Sequence, residues 1–157
     1  MGLKAADKRQ FVLFDVGKQR YAVGLEHVDC VLPAMRLTAL PGAPPVIKGI
    51  FNLHGELVAV GDIRKRTGLP EIPIELSDQI VVVRNPGHML GLLTEGPTEV
   101  ATYPAGDITA DDVVLRNSES VEGVIRLRSN LVLIQNVEKF LSLDEQVSLK
   151  NAAAAYV

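Results

Sequence analysis

Apolar residues in this chain fall in short runs of strand length divided by turn residues, not in long helical stripes. Phe11 to Val16 is β-branched and aromatic, Gly17-Lys18 signals a turn, and Arg20 to Gly24 returns, which predicts a hairpin. Leu25, Val28, Val31 and Leu32 sit at helical spacing and predict a short helix that Pro33 ends. Four prolines and a glycine between 33 and 45 predict an irregular, stiff connection. Ile47 to Leu53 and Glu56 to Gly61 predict a second hairpin around His54-Gly55, with Gly55 free to take positive φ. Asp62 is a candidate N-cap for a helical turn through Arg66, stopped by Gly68-Leu69-Pro70. Ile80 to Arg84 and His88 to Leu93 pair around Asn85-Pro86-Gly87. Residues 102 to 120 are polar and predict a long loop. Val121 to Leu127 and Leu131 to Gln135 predict a last hairpin around Arg128-Ser129-Asn130. Asn136 then caps a final helix with Val137, Phe140, Leu141, Val147 and Leu149 on one face. Residues 1 to 10 are expected to be a flexible tail, 11 to 150 a single domain of two pseudo-repeated barrel subdomains, and 151 to 157 a frayed end.

The two halves resemble each other. Ile47-Lys-Gly-Ile-Phe-Asn-Leu53 aligns with Val121-Glu-Gly-Val-Ile-Arg-Leu127 at a shift of about 74 residues, without gaps through the following run. Gly49 meets Gly123, Leu57 meets Leu131, Asp62-Ile63 meets Asn136-Val137 and Lys65 meets Lys139. Val12-Leu13-Phe14 matches Val81-Val82-Val83 more loosely. Two tandem copies of one few-stranded unit bury too little apart, so the expectation is all-β, two small barrels packed together.

Composition narrows the function. Hydrophobic residues make up 47% and charged residues 22%, an ordinary globular balance. The net charge of −3, with 4% aromatics and no tryptophan, lacks both the basic footprint and the stacking platforms of nucleic-acid binders. A single cysteine, Cys30, excludes an internal disulfide and a cysteine-based metal cluster, and suits a reducing cytoplasm. No run of about 18 apolar residues exists to span a bilayer.

No catalytic constellation emerges. His27, His54 and His88 lack metal-site spacing, and neither a phosphate-binding glycine loop nor a Gly-x-Ser-x-Gly elbow is present. Cys30 with His27 three residues earlier is the best nucleophile candidate, but no third group is visible to orient the pair. The acidic residues Asp111-Asp112, Glu119 and Glu122 lack the spacing of a calcium loop. Arg64-Lys65-Arg66 suits a solvated turn. No metal, cofactor or catalytic residue is assigned, and the residues point to a binding module.

Phe11-Val-Leu-Phe, Tyr21, Val28-x-x-Val31, Leu40-Pro41, Ile47-Lys-Gly-Ile-Phe-Asn-Leu-His-Gly55, Val60-Gly-Asp-Ile-Arg64, Gly91-Leu-Leu and Leu131-Val-Leu-Ile-Gln-Asn-Val-Glu-Lys-Phe140 together resemble the CheW family of chemotaxis coupling proteins, over residues 10 to 150. The resemblance implies two tandem SH3-like five-stranded barrels around a shared hydrophobic core, with short helices and a C-terminal helix. It implies a non-catalytic cytoplasmic adaptor recruited to membrane receptor arrays, without membrane insertion of its own. The partners it implies are the cytoplasmic hairpin tip of chemoreceptors and the regulatory domain of a CheA-type histidine kinase, and it leaves room for weak self-association. Val28, Cys30, Val31, Asn52, His54 and Gly55 would face the receptor; kinase contacts would come from the apolar barrel ends. This chain has His54 where the family usually has Arg, Cys30 where Glu is usual, and Thr94-Glu95 where Val-Asp is common. An Arg fork binds carboxylates bidentately, and His is shorter and mostly neutral at pH 7. Two receptor-side charges are thus lost, which marks a divergent member. The alternative is an orphan module of this fold, with altered or lost receptor binding, serving another chemosensory-like or two-component pathway.

Overall fold

The computed structural model describes residues 7–85, 88–110 and 120–156. Ten strands dominate: β1 (Lys8–Val16), β2 (Gln19–Gly24), β3 (Val28–Pro33), β4 (Ile47–Leu53), β5 (Glu56–Gly61), β6 (Gln79–Asn85), β7 (His88–Pro104), β8 (Ile108–Thr109), β9 (Val121–Arg126) and β10 (Leu131–Gln135). A short helix α1 (Ile63–Thr67) follows β5, and α2 (Leu143–Tyr156) ends the chain. The all-β expectation holds, with two barrels. Barrel A contains β1, β2, β10, β9, β8 and the second half of β7; barrel B contains β3, β6, the first half of β7, β5 and β4.

Three apolar clusters explain why several strands are apolar without alternation. Phe11 and Leu13 point into barrel A with Ile125, Val132 and Ile134. Val12, Phe14 and Val16, on the other face of β1, join Val81, Val83, Leu90 and Leu92 in a core shared by both barrels. Ile80 and Val82, on the other face of β6, fill barrel B with Phe51, Val58 and Val60. Strands dry on both faces lose the polar half of the period-two pattern. Full burial of each large side chain contributes about 1.5–3 kcal/mol.

The two halves of the chain pair their strands in matching registers, and they interleave. Phe14 opposes Tyr21 in β1–β2, and Val83 opposes Leu90 in β6–β7, at one constant shift. Yet β2 runs parallel to β10 and β7 runs parallel to β5. Each barrel therefore takes one hairpin from each half of the chain. The chain changes barrels at the 3-10 turn Leu25–His27, and again within β7, near Gly96 at φ +76°. The repeated glycines admit the strand that closes each barrel. Thr38 bridges Ile50, and Thr109 pairs with Val124. A Cβ on Gly49 would lie 2.9 Å from the Thr38 carbonyl oxygen, and one on Gly123 would lie 3.3 Å from that of Thr109.

Several local expectations are corrected. The segment from Leu25 to Leu32 is a 3-10 turn and then a strand, not a helix. A bulge between Val28 and Cys30 turns Val28 and Val31 onto one face, so a bulged strand mimics helical spacing. The expected loop from 102 is strand to Pro104, a 3-10 turn at Ala105–Asp107 and then β8; the turn residues Pro86-Gly87 and the acidic Asp111, Asp112 and Glu119 lie outside the described residues. Asn136 caps a tight turn, accepting the N–H groups of Glu138 and Lys139. The final helix starts after Ser142, whose hydroxyl accepts the Glu145 N–H while the Glu145 carboxylate accepts the Ser142 N–H. Val137, Phe140 and Leu141 are buried before it, and Val147 on it is exposed. Strand β1 starts at Lys8, inside the expected tail, because Lys8 pairs with Pro104; α2 continues to Tyr156, past the expected frayed boundary, with Ala152 buried.

The basic triplet is a clasp, not a solvated turn. Asp62 caps α1 by accepting the Arg64 N–H at 3.0 Å, and Gly68 ends it at φ +78°. Arg64 grips Glu95 of β7 through Nε at 2.5 Å and Nη2 at 3.2 Å, and Glu95 also accepts the Gly17 N–H from the β1–β2 turn. Lys65 lies 3.7 Å from Glu71. Arg66 donates to Glu145 and to the Phe140 carbonyl, which holds α2. Burial alone would raise the Glu95 carboxyl, but Arg64 and the Gly17 N–H outweigh it and hold it below the ordinary carboxylate range.

Gly49→Ala should destabilise the fold by about 1–3 kcal/mol, and Gly123→Ala by less because its contact is looser; urea unfolding of both variants checks the order. Glu95→Gln should cost about 1–2 kcal/mol at pH 7, a partly exposed charged hydrogen bond being worth that much. A depressed carboxyl stabilises above its unfolded pKa and loses that contribution as pH falls through its folded pKa. The gap between wild type and Glu95→Gln should therefore close in acid, measurable as converging urea midpoints.

Candidate functional surface

The β4–β5 tip is a two-residue turn. Leu53 opposes Glu56, His54 has φ +50° and Gly55 has φ +91°. Two successive positive φ values give the type I′ geometry that suits the twist of a hairpin. Asn52 Oδ1 accepts the Gly55 N–H at 2.9 Å, so the tip is braced. Asn52, His54 and Gly55 are all exposed. His54 is the one non-glycine with positive φ among the described residues, so its side chain is held outward at a sterically costly position.

Strand β3 divides the other three candidates between its faces. Val28 and Val31 are half-buried against the shared core. Cys30 lies on the opposite face, half-buried against the interior cluster of barrel B, which Leu53 of the tip also touches. Asp29, between them, pairs with Arg84 of β6 at 2.9 Å. The tip and β3 thus share one barrel and one packed cluster, but the six candidates do not form a single contiguous cluster of side chains.

Cys30 is not arranged as a nucleophile. Burial first, and then the charge of and hydrogen bond with Asp29, push its thiol up, and Arg84 offsets only part. A raised thiol carries less thiolate at neutral pH, the reverse of activation. His27 sits in the 3-10 turn with Nε2 3.7 Å from Glu26, so the helix face it was expected to share with Cys30 is absent. Among the described residues no group of three or more His, Cys, Asp or Glu side chains could hold a metal ion. No helix among them is long and apolar enough to cross a membrane.

Two residues outside the six candidates join this surface. Leu25 packs against the shared core beside Val28 and Val31. Val100 stands directly opposite Val12 in the β1–β7 ladder, on the face that borders the shared core, and is 61% exposed. The alternation Thr98-x-Val100-x-Thr102 carried a strand signal that would have placed it. Leu25, Val28, Val31 and Val100 are apolar side chains of the shared-core faces that the two barrels leave partly uncovered.

Comparison with known proteins agrees with this architecture. The chain is 26% identical to the chemotaxis protein CheW of Bacillus subtilis, covering 93% of this chain and 94% of that protein. It is 24% identical to the chemotaxis protein CheW of Treponema pallidum, covering 90% and 87%. Among solved structures, the scaffolding protein TtCheW of Thermoanaerobacter tengcongensis superposes with a TM-score of 0.79 at 23% identity, over 88% of this chain and 91% of that one. That likeness shows the shared fold of two SH3-like barrels. The model of the CheW-like domain matches residues 10–145, and the chain therefore belongs to the CheW-like domain family.

Proposed function

We propose that this protein is a non-catalytic adaptor that couples chemoreceptors to a CheA-type histidine kinase in chemotaxis signalling. The family match over residues 10–145 carries this reading. The raised thiol of Cys30 supports binding over catalysis. The receptor side is assigned to barrel B. Val28 and Val31 offer apolar contact, and the braced Asn52–Gly55 tip presents His54. Cys30 backs the same strand from inside and tunes its packing. An adaptor of this kind works in the cytoplasm, gathered to receptor arrays by its partners. The replacement of the family's usual Arg by His54 favours a second reading, a member that keeps the kinase and has a weakened hold on the receptor.

Binding of the purified protein to the regulatory domain of the cognate CheA, and separately to a receptor hairpin-tip fragment, tests the proposal. Both should bind, as read by calorimetry. Kinase binding alone would establish the second reading, and binding to neither would overturn both. His54→Arg should tighten the receptor fragment several-fold at low salt, with the gain fading as salt rises, because a rim charge acts through screened electrostatics. Unchanged affinity would remove His54 from the receptor surface.

A further inference from the structure

The interleaved repeat gives every position in one barrel a counterpart in the other, and comparing counterparts exposes a site in barrel B. In barrel A the parallel seam between β2 and β10 is sealed. Gln19, the first residue of β2, donates from Nε2 to the Leu131 carbonyl at 2.9 Å and to that of Arg20 at 2.8 Å. Leu133 fills the space beside it, packed on the shared core. In barrel B the counterpart of Gln19 is His88, the first residue of β7, and the counterpart of Leu133 is Ala59 of β5. The smaller Ala59 leaves a gap. Helix α2, which has no counterpart in the repeat, roofs the gap instead of filling it.

The result is a cleft of about 380 Å³ between α2 and barrel B, within the range of small-molecule sites. Its walls include Ile50, Ala59, Met89 and Leu149, and among the described residues no carboxylate lines it. Two polar groups there lack partners. His88 lines the cleft, and its Nε2 is buried without a hydrogen bond. Lys150, exposed on the α2 rim of the cleft, has no ion-pair partner among the described residues. A buried polar atom left unpaired costs free energy, and a hydrated ammonium at the rim of an apolar wall suits an anion that carries an apolar body.

We propose that this cleft binds a small amphipathic carboxylate, its apolar body lying between Ala59, Met89 and Leu149 and its carboxylate on Lys150. His88 Nε2, buried and unpaired in the same cleft, is the second polar atom available to the ligand. The site lies on barrel B beneath α2, and it stands whether or not the coupling role does.

Titration of the full chain with octanoate, followed by ¹⁵N–¹H NMR with octanol as the neutral comparison, tests the site. Saturable shifts are expected at Ala59, Met89 and Lys150 by low-millimolar octanoate. Lys150→Glu should weaken octanoate several-fold, the scale of an exposed ion pair, and leave octanol essentially unchanged. Ala59→Leu, which installs the residue of the sealed barrel, should abolish binding of both. If that variant loses its dispersed spectrum, Ala153→Leu fills the cleft from α2 and should do the same. No saturable shift, or shifts that survive the filled cleft, would overturn the proposal.

Discussion

Strands that are dry on both faces are the constraint on which the rest of this molecule depends. β1 and β6 bury successive residues, one face inside a barrel and the other in the shared core. Their backbone groups cannot turn to water, so hydrogen bonds must close along strand edges. Parallel neighbours need a long crossover between them. The chain meets both demands by exchange: β2 pairs with β10, and β7 with β5, each partner coming from the other half. Neither half completes a barrel alone. The shared core, with Phe14, Tyr21 and Leu90 among its members, is therefore a condition of folding and not a later docking of two finished units.

The strand pairing keeps the repeat, and the crossings, the tip and the C-terminal helix depart from it. The chain leaves barrel A through a 3-10 turn but returns through an unbroken 17-residue strand. The tip Asn52-Leu53-His54-Gly55 answers to Arg126-Leu127-Arg128-Ser129, and α2 answers to nothing. The clasp of α1 matters here. Arg64 ties the crossing point of β7 to α1, Glu95 reaches the β1–β2 turn of barrel A, and Arg66 holds the start of α2. Two departures from symmetry, the β7 crossing and α2, are thus fastened to one short helix.

Much of this was legible in the sequence. The four main hairpins, the Asp62 cap, the repeat and the two-barrel class follow from apolar runs, turn residues and matched glycines. The interleaving does not, because pairing between hairpins is a long-range choice that leaves no local trace. Bulges hid β3: the shift between Val28 and Cys30 converted a period of two into an apparent period near three. The helix start was missed because Asn136 precedes apolar residues as a cap would, although Ser142-x-x-Glu145 also carries the capping-box pattern. The clasp was missed because charge partners such as Arg64 and Glu95 are distant in sequence, so a basic triplet looks solvated until the fold brings acids to it. Of the candidate surface, the exposed tip was legible; the inward turn of Cys30 was not, since only register decides a strand residue's face.

The tip shows how such a fold recognises a partner without chemistry. A non-glycine residue in the left-handed region costs about 1 kcal/mol, and His54 accepts that cost because Asn52 and Gly55 determine the turn around it. Its side chain is consequently displayed from a backbone with little freedom left to lose. Binding penalises the ordering of loose segments, so a pre-ordered tip loses little of its contact energy when a partner arrives. Leu53 at its base packs on the same cluster as Cys30, which fixes the tip relative to β3. A change of residue at position 54 then alters the chemistry offered to the partner while leaving the geometry of presentation intact, which is how a rigid adaptor can diverge in specificity without refolding.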